Sequence, residues 1–217
     1  MPSALVQLVI IYLPGLIGDK IRYRYWHHRL KFLGRNVKIE AGVHFQNPAY
    51  ISIDDNCWID KAVIIMGGPD KSKREKKYIN NEKFKFKPGE VVIGKNVHIA
   101  TNVIISGIGG ISIGNNSGIA SGSKIYSFSH HYRSFQSPVG KEVFYSPMVP
   151  SEKQVMIEGP ITMGENVGMG FNTIILPGTI IGDRSFIVVG SVVYGSFPPN
   201  SFVSGNPAKR IKARFLD

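Results

Sequence analysis

From Leu33 onward, aliphatic side chains return at every sixth position. Strands and helices predict steps near two or 3.6 residues instead. One run reads Leu33, Ile39, then Ile53, Ile59, Ile65; a second reads Ile93, Ile99, Ile105, then Ile113, Ile119, Ile125. A third runs Ile157, Met163, Met169, Ile175, Ile181, Ile187, Val193. The residue after each aliphatic is often small or acidic, as at Gly34, Asp54, Gly94 and Gly164. The fifth position is often small or β-branched, as at Val37, Val97, Ser117 and Thr173. Short flat strands joined by regular corners give this period.

The first two blocks also match each other. LGRNVKIEAGVHFQNPAYISIDDN from Leu33 aligns with IGKNVHIATNVIISGIGGISIGNN from Ile93, including the same two-residue expansion before Ile53 and before Ile113. Each block is followed by a long interruption, residues 66–92 and 126–156. If three rungs close one triangular coil, each block is two whole coils, and both interruptions leave from the same corner. Their bases then lie roughly 10 Å apart along the axis, at about 4.8 Å per coil. The two loops can build one site. Residues 1–32 form a separate apolar and basic segment, and the repeat domain occupies 33–217.

Composition agrees with a turn-rich β protein. There are 24 Gly and 13 Pro, and 43% hydrophobic residues exclude wholesale disorder. A single cysteine, Cys57, excludes an internal disulfide framework and a cysteine-cluster metal site. No apolar run reaches the ~18 residues of a membrane-spanning helix. The apolar stretch 4–17 is broken at Pro14-Gly15 and followed by IRYRYWHHRLKF. It reads as a cap on the first coil, with a helix lying on anionic lipid as the alternative.

The net charge of +11 is gathered into three places: residues 1–35, 71–87 and 209–217, on a mildly acidic remainder. Such clusters suit local anion sites; a nucleic-acid surface would form one continuous stripe. Nucleic acid is therefore not an expected partner.

The hexapeptide pattern over about residues 33–197, with the tail Gly205-Asn206-Pro207-Ala208-Lys209-Arg210-Ile211-Lys212, resembles the hexapeptide-repeat acyltransferases. The HHYRSF loop resembles their sugar O-acetyltransferases of the O-antigen, capsule and colanic-acid type. That resemblance implies an all-β fold, a left-handed parallel β-helix of about six coils with two long corner loops and a short helical N-terminal segment. It further implies acetyl-CoA as co-substrate, no metal, a sugar or glycan acceptor, and a homotrimer with its sites between neighbours. The expected location is the cytoplasm, with the inner face of the membrane as a peripheral contact.

O-acetyl transfer needs a base near neutral pKa, which histidine supplies. Of six histidines, only His130 and His131 lie at a major interruption. The family motif, an apolar-Tyr pair and three residues before the histidine, implies His130 as the base. Gly140-Lys141-Glu142 matches a family sequence that implies Glu142 as its orienting acceptor. The donor arm is expected along Gly168, Gly170, Gly190 and Ser191, with its phosphates on Lys209 and Arg210. Asn102, His131, Arg133, Lys83 and Lys85 are the acceptor-side expectations, with Phe84 and Phe86 as a clamp. Ala100 and Gly168 stand where free-sugar transferases carry Asn and Trp, which argues against a free disaccharide acceptor. Pro138 resembles the xenobiotic acetyltransferases, the alternative within the same class. Outside it stand a γ-type carbonic anhydrase, for which adjacent His130 and His131 lack the separated pairing, and a non-catalytic basic binding module.

Overall fold

Each six-residue step is a strand of two or three residues plus a corner, and three steps close a triangular coil. The computed structural model describes residues 4–216. Strands stack rung on rung in parallel into three sheets of seven, six and eight strands, one for each face of a prism. That makes a parallel β-helix of six full coils and part of a seventh. The eighth strand, Ala208–Ala213, folds back antiparallel on Ser201–Gly205 and carries the basic tail.

The inward columns are the sixth-position aliphatics. Ile39, Ile59, Ile99, Ile119, Met169, Ile187 and Val203 form one such column in register, all at or below 3% exposure. Truncating one of these removes contacts above, below and across the coil. Ile119→Ala is expected to cost about 2–5 kcal/mol, read by urea unfolding.

Corners explain the remaining pattern. Asn36, Asn56, Asn96, Asn116 and Asn166 sit at one edge with positive φ, a conformation that asparagine tolerates. Their side chains bond along the stack, Asn36 to Asn56 and Asn96 to Asn116, each at 2.9 Å. In later coils buried hydroxyls replace the valines: Ser117 Oγ donates to Gly164 O and accepts from Val167 N. The two-residue expansion of the first coil holds the short 3-10 turn Pro48–Tyr50.

Two helices cover the open end of the first coil. Helix α1, Ala4–Tyr12, packs on helix α2, Gly15–His27. Trp26 meets Phe45 edge-on at 4.9 Å. Arg22 is fully buried; its Nε donates to Ile39 O at 2.8 Å and its other nitrogens reach Leu13 O and Asp19. Capping is the role expected of this segment, and α2 performs it through these contacts.

The interruptions leave from one corner, as the repeat offset predicts. Strand Glu75–Tyr78 of the first pairs in parallel with Val155–Glu158 of the second, whose other edge pairs antiparallel with Phe128–His130. Two segments far apart in sequence thus make one small sheet on the outside of the prism.

Candidate active site

The small sheet positions the chemistry. Strand alternation puts Phe128 and His130 on the same face as Met156, Glu158, Lys76 and Tyr78. His130 ends its strand at a hollow of about 420 Å³ lined by Tyr126, Phe128, Ser129 and Leu176. A neighbouring hollow of about 280 Å³ shares Phe128 and reaches Gln46, Met66, Gly68 and Asp70.

The surroundings of His130 favour its neutral form. Partial burial pushes its pKa down, and the Arg74 guanidinium adds to that effect. Arg74 is itself fixed, its Nε donating to Gln154 Oε1 at 2.9 Å and its Nη1 facing Asp70 Oδ2 at 3.3 Å. Among the described residues the His130 ring has no hydrogen-bond partner; Tyr145 lies edge-on, with ring centroids 6.1 Å apart. Its nitrogens are open to an incoming hydroxyl. His131 differs: its Nδ1 lies 2.8 Å from Arg133 O, and its ring stacks on Phe135 at 4.3 Å. That ring serves the loop.

The group that organises this loop is Glu75, which sequence reasoning passed over as one charge in a basic run. Its carboxylate accepts from Ser134 Oγ, from the backbone N–H groups of Phe135 and Gln136, and from Lys141 Nζ at 2.8 Å. Burial works against its charge, yet Lys141 and the loop donors bring its pKa down to about 2. Only the pairing of the two interruptions could have revealed it. Below it Lys76 bridges Asp70 and Glu158 at 3.2 and 3.3 Å. Burial lifts Glu158 above the usual carboxylate range against the pull of Lys76. Asp70 is brought down to about 2 by Ser72 and Lys76, again against burial.

The other expected residues fall in different places. Glu142 is exposed and makes no hydrogen bond to His130; its neighbour Lys141 is the residue engaged, with Glu75. Arg133 is exposed, its guanidinium 5.4 Å from the Tyr132 ring centre. Lys83 and Lys85 are exposed but line neither hollow. Between them Phe84 is seated on Gly110, whose positive φ and missing Cβ make the room. Phe84 and Phe86 do touch edge-on at 5.7 Å, so the pair anchors the loop at a corner. Asn81 fixes it further, donating to Pro160 O and Thr162 Oγ1 on another prism face. The cations of this loop that stand near His130 are Arg74 and Lys76.

Asn102 is exposed at a corner with φ 60°, on a different edge of the prism from the loops. Gly168 faces outward on a strand beside Gly118, between His98 and Phe186 in the column. Gly118 is open on its outward side, with nothing within 4 Å of where a Cβ would stand, whereas the Phe186 ring lies over Gly168. Gly170 is needed where the backbone of Val189 approaches closely, and Gly190 takes φ 70° at the same edge. Ser191 is fully buried, donating to Val188 O and accepting from Gly205 N, and so staples the corner. Lys209 and Arg210 are exposed on the last strand, with no acidic partner among the described residues. Among the described residues no group of three or more His, Cys, Asp or Glu side chains could hold a metal ion.

No family model matches the chain. It is 34% identical over 127 residues to the "Putative lipopolysaccharide biosynthesis O-acetyl transferase WbbJ" of Escherichia coli K12. That match covers 58% of this chain and 62% of the relative, less than two thirds of its length. A single-site variant of AntD, an N-acyltransferase from Bacillus cereus in complex with dTDP-4-amino-4,6-dideoxyglucose and coenzyme A, superposes with a TM-score of 0.71 at 23% identity, covering 90% of both chains. The hexapeptide-repeat containing acetyltransferase VCA0836 from Vibrio cholerae gives 0.54 at 20% identity, over 90% of this chain and 80% of that one.

Proposed function

We propose that the chain is a hexapeptide-repeat acetyltransferase and that it transfers an acetyl group from acetyl-CoA to a sugar hydroxyl. The sugar belongs to a bacterial surface polysaccharide or its precursor, in keeping with the name of the E. coli relative. One observation carries the reading: His130, with no hydrogen-bond partner on its ring among the described residues, stands at the rim of a hollow on a loop tied down from two sides.

Acetyl-CoA supplies the thioester. A nitrogen of His130 takes the proton of the acceptor hydroxyl as that oxygen bonds to the thioester carbonyl carbon. The carbon–sulfur bond breaks, and the imidazolium returns the proton to the departing sulfur. Burial and then Arg74 match this cycle, because both lower the pKa of the ring, and Arg74 does so without bonding to it.

For the donor, the open outward side of Gly118 leaves room for an extended arm, and Lys209 and Arg210 supply free cations for its phosphates. Lys209→Ala with Arg210→Ala is expected to raise the acetyl-CoA KM roughly tenfold, ~1.4 kcal/mol. The KM for acetyl-pantetheine, which lacks the terminal phosphates, should stay unchanged. Equal rises for both donors would remove the phosphate role.

Two observations favour a trimer. Ile64, Ile104, Ile174 and Val192 are partly exposed in one outward column, interrupted by Lys124, on the face beside the His130 hollow, which a neighbour would cover. Asn102 can share a site with His130 only across two copies. Sedimentation is expected to give a trimer, and a monomer at micromolar concentration would overturn the shared site. The function itself is tested by supplying acetyl-CoA with nucleotide-linked and lipid-diphosphate-linked sugars, and with antibiotic acceptors as a contrast. Transfer to a sugar hydroxyl is expected; transfer to antibiotics alone would replace the sugar reading.

A further inference from the structure

Helix α1, ALVQLVIIY, has no charged side chain and only Gln7 as a polar one before Tyr12. A helix that is apolar all round belongs in an apolar medium on all sides. The chain covers one side: Ile11 is buried, while Leu5, Leu8, Val9 and Tyr12 are 52–71% exposed. The apolar surface continues past the Pro14-Gly15 break onto α2, where Leu16 and Ile17 are 76% and 72% exposed. Farther along α2 the exposed stripe turns basic, through Lys20, Arg24, His27 and His28. Among the described residues no carboxylate pairs with Lys20 or Arg24, and the only acidic residue of α2, Asp19, is engaged by Arg22.

We propose that α1 and the first turns of α2 form a peripheral docking surface for an anionic lipid bilayer. The apolar residues enter the headgroup–acyl boundary, and Lys20 and Arg24 meet lipid phosphates. Charge decides between lipid and a second copy of this chain. A symmetric contact through the same patch would set these cations against their own copies. Neither helix is long enough to cross a bilayer: no described helix is long and apolar enough to do so. The surface lies at the first coil, and the His130 loop leaves the fourth, three coils or roughly 14 Å farther along the axis. The docking does not depend on which acceptor the site takes.

The test is flotation of the full chain with vesicles of phosphatidylcholine alone and with phosphatidylglycerol added. Co-flotation is expected with the anionic vesicles and should weaken as salt rises. Lys20→Gln with Arg24→Gln should lower binding about 30-fold, at ~1 kcal/mol for each cation. Leu16→Ser with Ile17→Ser should lower it at least tenfold. Thermal unfolding and acetyl-CoA binding of each variant report that the fold is kept. No flotation of the unaltered chain with anionic vesicles would overturn the proposal. So would variants that change the oligomeric state in solution while vesicle binding stays constant, since the patch would then belong to a second copy. Absence of acetyl transfer by the unaltered chain, with vesicle binding intact, would instead fault the acetyl-transfer reading.

Discussion

Replacing His130 with Ala is expected to lower acetyl transfer by roughly 10²–10⁴-fold, the usual worth of a positioned general base, with little change in acetyl-CoA affinity. His131→Ala should do much less to the chemistry, because that ring is occupied with Arg133 O and Phe135. Reversed effects would move the base to His131. Small effects from both would remove base catalysis from this loop. The pH profile adds a second readout. A base must be neutral to act, so kcat/KM should fall on the acid side as His130 gains its proton. Burial and Arg74 both depress its pKa, placing that fall below the ordinary histidine range. Arg74→Met removes one cause and should move the acid limb upward. An unmoved limb would show that another group sets it.

Glu75→Ala should reduce kcat/KM about 10–100-fold although Glu75 touches no substrate in the proposed mechanism. The substitution leaves the Phe135 and Gln136 amides and the Ser134 hydroxyl without their acceptor, each worth about 1–3 kcal/mol when buried. The loop between His131 and Lys141 should then open, which limited proteolysis would read as new cleavage there. Glu75→Gln keeps an acceptor and should recover part of the activity. The carboxylate also makes the loop acid-sensitive. Its folded pKa of about 2 lies below the ordinary carboxylate value, so its stabilisation is present above that value. It is lost as pH falls from ~4 through about 2. Protection of the loop that persists in the Ala variant would show that Glu75 does not position it.

The repeat, its three-rung coil and the common corner of the two interruptions were legible because a β-helix repeats its environment every coil. Each sixth residue meets the same inward position, so Ile39, Ile59, Ile99 and Ile119 are selected alike and the period survives in the chain. His130 stands out as a candidate for a related reason. A chemistry-bearing residue at a break in a regular pattern stands out, although its preference over His131 came first from resemblance and only then acquired a geometric argument. The left hand expected of the coil likewise rests on resemblance and not on spacing.

Glu75, Arg74 and Asn81 were hidden. Each sits in a loop without period, and its partners lie about 60–80 positions away in the chain. Lys83 and Lys85 in the same run line neither hollow: the direction of a loop cation depends on where Phe84 and Asn81 anchor the loop, which no local pattern encodes. The helices divide the same way. The broken apolar stretch 4–17 suggested a cap, but which apolar side chains it consumes was decided by the packing of Ile11, Trp26, Arg22 and Leu30, leaving Leu16 and Ile17 outside. Periodic burial is written in the chain because packing repeats it; contacts between aperiodic segments form only after those repeats have brought the segments together.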